Sequence, residues 1–218
     1  MATLKEKATA FLMSRIGKTA HVNSITAITN TVLELSLHLP DSLNWRSCQH
    51  LKCETGKQTY RDYTLANWDE TTHTATLLIH TAHEGAGSNW VRQLKPGQAF
   101  SYAGPGGGIH QPTAADNLVC IGDASAIGHF ISLYKRRHQQ QQFHTLVISQ
   151  VLPSTILGMP VQTIIQDDYP AQLNGWLKEL SLQETTFYVA GNIPLVVKTR
   201  KILKELGWKQ IKSAGFWE

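Results

Sequence analysis

The stretch Arg61-Asp62-Tyr63-Thr64 places a cation, a carboxylate, an aromatic ring and a hydroxyl side by side. Its surroundings predict a short strand over 61–66, in which alternate residues share a face. Arg61 and Tyr63 are therefore expected on one face, and Asp62 and Thr64 on the other. These groups suit a flat anionic ligand, with ring against ring and guanidinium against phosphate. The alternative, which this stretch alone leaves open, is that these are ordinary solvent-exposed side chains that bind no ligand.

A glycine-rich turn at 84–90 is the second candidate binding element. Its backbone amides and the Ser88 hydroxyl suit a pyrophosphate, because a helix is predicted directly afterwards, over 89–94. Ser88 as an ordinary N-cap of that helix is the alternative, and it is favoured while the turn is considered alone. His80 and His83 would face opposite sides of a strand, so no shared metal ion is expected.

The first half of the chain alternates in hydrophobicity after an opening helical stretch. Short strands separated by turn signals predict a closed antiparallel barrel. The strands are expected at 31–39, 50–54, 61–66, 74–79 and 98–102. The stretch 1–18 predicts a short amphipathic helix. Its apolar residues at helical spacing are Leu4, Ala8, Phe11, Leu12 and Ile16.

The second half alternates strands with helices, which is typical of a parallel sheet covered by helices. Strands are expected at 118–122, 144–149, 161–165, 185–191 and 209–213, and helices at 126–138, 171–180 and 194–206. A stretch rich in glycine and proline at 104–116 separates the halves, so we expect domains of residues 1–111 and 112–218.

Two strands of the second half end in glycine before a helix, at Gly122 and Gly191. Ligands of open parallel sheets sit at the carboxyl ends of the strands, where helix N-termini favour phosphate. A dinucleotide cleft and plain tight turns are equally compatible with this pattern. Lys198, Arg200 and Lys201 follow on the last predicted helix. A solvated face explains them by default, although Lys198 and Arg200 would lie near the mouth of such a cleft.

The bulk composition describes an ordinary protein with 218 residues, 42% hydrophobic and 17% charged residues, a net charge of +4 and a pI near 9.0. The mild basicity fits an anionic ligand and is too weak to indicate nucleic acid. No apolar run is long enough for a membrane span. Three cysteines without metal-type spacing argue against a disulfide framework or a zinc site and favour a cytoplasmic location.

The order of these motifs resembles the siderophore-interacting protein family, FAD-containing ferric-siderophore reductases within the ferredoxin-reductase-like flavoproteins. R-D-Y-T is followed by H-E-G-A-G-S-N-W and G-P-G-G, and then by L-V-C-I-G-D-A-S-A-I, Y-V-A-G-N and S-A-G-F-W-E. The resemblance covers 21–217. It implies an N-terminal antiparallel β-barrel domain that binds FAD and a C-terminal α/β domain that binds a nicotinamide.

The resemblance also assigns residues. It implies that Arg61 meets the FAD phosphates, that Tyr63 flanks the isoalloxazine, and that the Thr64 hydroxyl bonds the ring near its reactive nitrogen. The remaining residues implied on the FAD side are Asp62, His83, Gly87, Ser88 and Trp90. Those implied on the nicotinamide side are Gly122, Asp123, Ser125, Ala126, Gly191 and Asn192, where Asn192 stands in place of the usual glutamate.

The implied activity passes electrons from a nicotinamide through FAD to a ferric siderophore, with Lys198, Arg200 and Lys201 attracting the anionic chelate. Ser149-Gln150-Val151 carries no carboxylate for a ribose hydroxyl, which favours NADPH weakly over NADH. A ferredoxin is an alternative donor. Three alternatives stay open: a flavin oxidoreductase with another acceptor, a non-enzymatic flavin- or siderophore-binding module, and an unrelated barrel protein.

Overall fold

A computed structural model describes Met13 and residues 15–108, 110–149 and 151–217. The chain divides into two compact units, Met1–Ile109 and His110–Glu218. The expected domain boundary lies two residues further along the chain. Residues 13, 15 and 16 are helical. The other apolar positions of the predicted opening helix lie outside the described residues: Leu4, Ala8, Phe11 and Leu12.

The first unit is a closed antiparallel barrel, which confirms the barrel prediction. Going around it, the strands are ordered β1-β2-β5-β4-β3-β6, and β6 pairs with β1 to close the barrel. The strands are β1 (Lys18–Ala27), β2 (Val32–His38), β3 (Gln49–Gly56), β4 (Thr59–Asp69), β5 (Thr74–His80) and β6 (Ala99–Gly107).

Alternate residues of these strands build the barrel core. Leu35 and Leu37 on β2, and Leu39 just beyond it, are fully buried, as the alternation predicted. Burying a leucine side chain contributes about 1.5–3 kcal/mol. The register aligns Leu35 with the buried Leu77 of β5, so the apolar faces of neighbouring strands meet.

Helix α1 (Ala86–Gln93) packs against this barrel. Its Val91 is fully buried in the barrel core. The Arg92 guanidinium donates to the Thr81 carbonyl just after β5. The Thr81 amide in turn donates to the Thr31 carbonyl at 2.7 Å. These contacts hold α1 in a defined position on the barrel.

The second unit is a parallel sheet with strand order β11-β8-β7-β12-β13, and a separate two-stranded sheet of β9 and β10. The strands are β7 (Asn117–Gly122), β8 (Gln142–Ile148), β9 (Thr155–Ile156), β10 (Met159–Pro160), β11 (Gln162–Ile164), β12 (Thr185–Asn192) and β13 (Ile211–Trp217). The helices are α2 (Ile127–Arg136), α3 (Tyr169–Glu179) and α4 (Ile193–Glu205). The predicted α/β organisation is confirmed.

The strand order reverses between β7 and β12. From β7 the chain proceeds outward through β8 to β11, and it then returns to β12 on the other side of β7. In open α/β sheets, ligands bind outside the carboxyl ends of the strands at such a point. None of the helices in the described ranges is long and apolar enough to cross a membrane.

Candidate functional site

Arg61 and Tyr63 lie on the core face of β4. Tyr63 is aligned with Leu51 of β3, and Arg61 with Cys53, and both β3 residues are fully buried. Opposite residues of an antiparallel pair share a face. Tyr63 is half-buried and packs against the barrel core, while Arg61 is exposed.

Helix α1 lies directly on these two side chains. A Cβ at Gly87 would stand 2.3 Å from the Tyr63 hydroxyl and 3.6 Å from Cγ of Arg61. Glycine is therefore what allows this close approach. Trp90 then stacks on Tyr63, with ring centroids 5.7 Å apart and an interplanar angle of 14°. Phe100 meets Trp90 edge to face at 5.0 Å.

Among the described residues, no side chain caps the N-terminus of α1. Its N-cap residue is Gly85, so the interpretation of Ser88 as the N-cap is wrong: the helix begins before Ser88, which lies in its first turn. First-turn amides have no partner within a helix and carry the positive end of its dipole. The Arg61 side chain lies close to Gly87, so a cationic side chain lies next to these first-turn amides. The combination suits an anionic group such as a pyrophosphate.

The chemistry of Tyr63 follows from its burial. Burial raises the pKa of the Tyr63 phenol above its usual range, so the hydroxyl is protonated at neutral pH and can donate. Among the described residues the Tyr63 hydroxyl has no hydrogen-bond partner. The Arg61 guanidinium donates one hydrogen bond, to the Tyr60 carbonyl at 2.8 Å, and keeps its other N–H groups available. Donors for an anionic ligand therefore remain at both positions.

Asp62 and Thr64 lie on the opposite face. Asp62 Oδ1 accepts a hydrogen bond from Lys52 Nζ at 2.6 Å and lies 3.8 Å from His50 Nε2. His50 is the residue aligned with Thr64 across the β3–β4 pair. The motif is thus divided into two pairs of side chains, as the alternation predicted. His50 and Lys52 were missed, because cross-strand register cannot be read from a single strand.

His83 does not lie on a strand with His80, although the sequence analysis expected it to. Strand β5 ends at His80, so His83 lies in the following loop and the alternation of a strand does not apply. The two imidazoles meet edge to face, with centroids 4.9 Å apart and an angle of 87°. The prediction that they face opposite sides is therefore wrong. His83 itself is exposed.

The predicted nicotinamide-side residues meet where the sheet order reverses. Asp123 Oδ1 accepts hydrogen bonds from the Ser125 amide, at 2.8 Å, and from the Ser125 hydroxyl. Its Oδ2 accepts one from the Asn192 amide at 2.8 Å. Gly191 has φ of 120°, and a Cβ there would lie 2.7 Å from Asp123 Oδ1. Both the backbone conformation and the close contact therefore require glycine.

The remaining residues of this set support the same network. A Cβ at Gly122 would lie 2.1 Å from the Ala190 carbonyl oxygen, so glycine is required there as well. Ala126 is buried in the 3-10 turn after β7. The Asn192 side chain caps α4 by accepting from the Leu195 amide at 3.3 Å. Trp217 Nε1 donates to the Ser125 hydroxyl at 3.0 Å, a contact that the sequence analysis missed.

The three basic residues of α4 do not form one cluster. Lys198 Nζ lies 4.9 Å from the Tyr169 ring centroid, and Lys201 is 3.9 Å from the Glu205 carboxylate. Lys198 and Arg200 point about 160° apart around the helix axis, since each residue turns the helix by about 100°. All three are exposed.

A buried histidine pair lies in the same unit. His110 Nδ1 and His129 Nε2 are 2.8 Å apart. Burial lowers the pKa of His110 to about 4 and that of His129 to about 3. Both imidazoles are therefore neutral at physiological pH.

Comparison with known proteins defines the class. Residues 19–110 match the family described as the oxidoreductase FAD-binding domain. No curated protein matches the sequence. The siderophore-interacting protein SipS from Aeromonas hydrophila is 16% identical with a TM-score of 0.73, and the match covers 93% of this chain and 91% of SipS. A siderophore utilization protein from T. fusca is 19% identical with a TM-score of 0.73, covering 93% and 92%.

The fold is also that of ferredoxin reductases. The ferredoxin reductase in carbazole 1,9a-dioxygenase is 20% identical with a TM-score of 0.78, and the match covers 92% of this chain and 69% of the reductase. Residues 19–110 are thus an FAD-binding domain of the oxidoreductase type. The chain as a whole has the ferredoxin-reductase-like fold that the sequence resemblance implied.

Proposed function

We propose that this protein is an FAD-dependent reductase that passes electrons from NADPH or NADH to the Fe(III) of a ferric siderophore and releases Fe(II). The observation that carries this proposal is the meeting of Arg61, Tyr63 and the uncapped N-terminus of α1 at Gly87. It occurs within a domain that matches an FAD-binding family.

The residues of the first unit fit FAD. Arg61 and the first-turn amides of α1 at Gly87 and Ser88 would hold the pyrophosphate, since a guanidinium and a helix N-terminus both favour phosphate. The protonated Tyr63 would donate to the cofactor, with Trp90 holding its ring in place. Thr64 would meet the flavin ring, while His83 and Asp62 border the site. When bound, FAD supplies a hydride acceptor that can also release electrons singly.

The second unit would bind the nicotinamide at the ends of β7 and β12. Asp123 fixes Ser125 and the Asn192 amide. Gly122 and Gly191 expose backbone that a dinucleotide can approach closely, with Ala126 in the adjoining turn. NADPH is the preferred donor in this proposal, because Ser149-Gln150-Val151 carries no carboxylate for a ribose hydroxyl. A ferredoxin is the alternative donor.

The acceptor follows from iron chemistry and charge. Fe(III) is a hard cation that suits the oxygen ligands of siderophores, so reduction to Fe(II) weakens the chelate. Arg200 and Lys201, which are adjacent on α4, would attract an anionic chelate, and Lys198 would add to the positive potential from the other side of the helix. Similarity over 91% and 92% of two siderophore-related proteins supports this acceptor class. We place the reaction in the cytoplasm, in keeping with the few cysteines, all of which are buried.

A second candidate is a flavin oxidoreductase with another acceptor, such as a ferredoxin, free flavin or a quinone. The TM-score of 0.78 with a ferredoxin reductase favours this candidate. The remaining candidate is a flavin- or siderophore-binding module without turnover.

The acceptor is tested by measuring Fe(II) production in a chromogenic trap, with NADPH and ferric siderophores of different charge. The proposal expects saturable turnover. It also expects Arg200→Gln and Lys201→Gln to raise KM for anionic chelates with little change in kcat. Lys178→Gln removes an exposed cation from α3 and serves as the control. Turnover that ferredoxin or quinone supports and ferric chelates do not would establish the second candidate.

A further inference from the structure

We propose that His50, paired with Asp62, takes up a proton when the bound flavin is reduced, and so makes the reduction potential of the protein fall more steeply as pH rises. This inference rests on the proposed function, because it requires FAD to lie beside Thr64. It adds a positioning and proton-holding role for a residue outside the Arg61–Thr64 motif.

The strand register brings His50 to the right place. His50 and Thr64 are aligned in the antiparallel β3–β4 pair. Side chains at such positions share a face, with Cβ atoms about 4.5–5.5 Å apart. His50 therefore leaves the sheet on the same face as Thr64, next to the residue whose hydroxyl would meet the flavin ring. The His50 side chain is 34% exposed, so protons from solvent can reach it.

The neighbouring strand holds the imidazole in place. A Cβ at Gly107, where φ is 72°, would stand 2.7 Å from both Nδ1 and Cε1 of His50. A Cβ at Gly106 would stand 3.5 Å from Nε2. The ring thus packs against the β6 backbone at two consecutive glycines, and a side chain at Gly107 would displace it.

Two charged side chains among the described residues form a group with His50. Asp62 on β4 lies 3.8 Å from Nε2 and favours the protonated ring, while Lys52 on the same strand as His50 opposes it by pairing with the same Asp62 oxygen at 2.6 Å. On β6, the described residues against the ring are Gly106 and Gly107, which carry no charge. A further negative charge close to the ring would act in the same direction as Asp62 and favour the imidazolium.

Reduction supplies that charge. A hydride from the nicotinamide brings two electrons and one proton, so the cofactor gains one negative charge unless a second proton is bound. His50 binds that second proton from water. When the two electrons leave for two Fe(III) ions, both protons return to water, the one on His50 and the one that came with the hydride. Imidazole is the side chain best suited to exchange a proton near neutral pH.

The test measures the two-electron midpoint potential of the FAD-loaded protein between pH 6 and 9. Each proton taken up with the two electrons changes the equilibrium constant tenfold per pH unit, which is about 30 mV for such a couple. Wild-type protein is expected to show a pH range in which the slope of the potential exceeds that of His50→Gln by up to about 30 mV per pH unit. His21→Gln, an exposed histidine on β1, is the matched control and should behave as wild type. Identical slopes for wild type and His50→Gln would overturn the inference.

A second variant keeps the test decisive if His50→Gln fails to retain FAD. Asp62→Asn removes the carboxylate that favours the imidazolium and leaves Lys52 in place, so the steep range should move to lower pH. A potential curve that superimposes on that of wild type would refute the inference. Failure of wild-type protein to bind FAD would instead refute the proposed function, which separates the two outcomes.

Discussion

The backbone amide of Asn192 donates a 2.8 Å hydrogen bond to the carboxylate of Asp123, which joins the ends of β12 and β7 where the parallel sheet reverses its order. The other Asp123 oxygen accepts from Ser125, whose hydroxyl receives the indole N–H of Trp217. One buried carboxylate thus connects segments that are distant in sequence. It lies at the carboxyl ends of the strands, the position at which open α/β sheets commonly bind ligands.

Replacing Asp123 should therefore destabilise the protein. In Asp123→Asn, the side-chain amide offers one oxygen in place of two, so its NH₂ group must face either Ser125 or the Asn192 amide. We expect a loss of about 1.5–3 kcal/mol, the range for hydrogen bonds to charged groups. Urea denaturation measures it, with Asp116→Asn as the control because Asp116 is exposed. Equal unfolding free energies for the two variants would show that the network contributes nothing.

The contact between α1 and β4 predicts a steric effect. Gly87→Ala should lower stability by about 1–3 kcal/mol through overpacking and weaken FAD binding, because its Cβ would meet the Tyr63 hydroxyl at 2.3 Å. Gly56→Ala is the control, since a Cβ at Gly56 would make an ordinary contact of 3.7 Å with Thr59.

A double mutant identifies the clashing atom. After removal of the hydroxyl by Tyr63→Phe, the nearest ring atom is Cζ, 3.5 Å from the added Cβ. Gly87→Ala should therefore cost less stability in the Tyr63→Phe background than in wild type, and a double-mutant cycle measures the difference. Additive losses would mean that the clash lies elsewhere.

Arg61 provides the binding prediction. Arg61→Ala should weaken FAD binding by about tenfold or more, since it removes a charge-assisted contact to phosphate worth about 1.5–3 kcal/mol. Fluorescence titration of apoprotein with FAD gives the affinity. Arg46→Ala removes another exposed arginine of the same unit and should leave it unchanged. Stoichiometric FAD at wild-type affinity in Arg61→Ala would contradict the assignment.

The buried histidine pair predicts a pH dependence of stability. An unfolded histidine binds a proton below about 6.5, whereas the folded pKa values lie near 4 for His110 and 3 for His129. Between these limits the unfolded chain binds more protons, so the free energy of unfolding decreases as pH falls from about 6.5 toward 4. His129→Gln should reduce this slope, and the exposed His138→Gln should not. Equal slopes in urea titrations would contradict the role of the pair.

Sequence patterns predicted the elements whose residues alternate strictly, and little of what depends on contacts across strands. Strand β2 was predicted because leucines occupy alternate positions of its sequence, and the structure buries Leu35 and Leu37 on one face. Strand β1 was missed, since Ala20 and Val22 are the buried positions among its ten residues and a bulge follows Val22. Its first residue, Lys18, was instead assigned to the opening helix.

The candidate site shows the same division. The glycines at the strand ends were visible as local patterns, and the structure gives each a close contact that requires it. The pairing of Asp62 with Lys52 depends on register between strands, and that of Trp217 with Ser125 on contacts across 92 positions. Neither contact leaves a signal in one sequence.

The central claim, electron transfer from a nicotinamide through FAD to a ferric chelate, is tested most directly by an anaerobic visible spectrum of the FAD-loaded protein. NADPH or NADH is added first, and a ferric siderophore with an Fe(II) trap second. The account predicts flavin bands that bleach with the nicotinamide and return with the chelate, as trapped Fe(II) appears at two per flavin. Bands that neither nicotinamide bleaches, or bleached bands that the chelate does not restore, would contradict it.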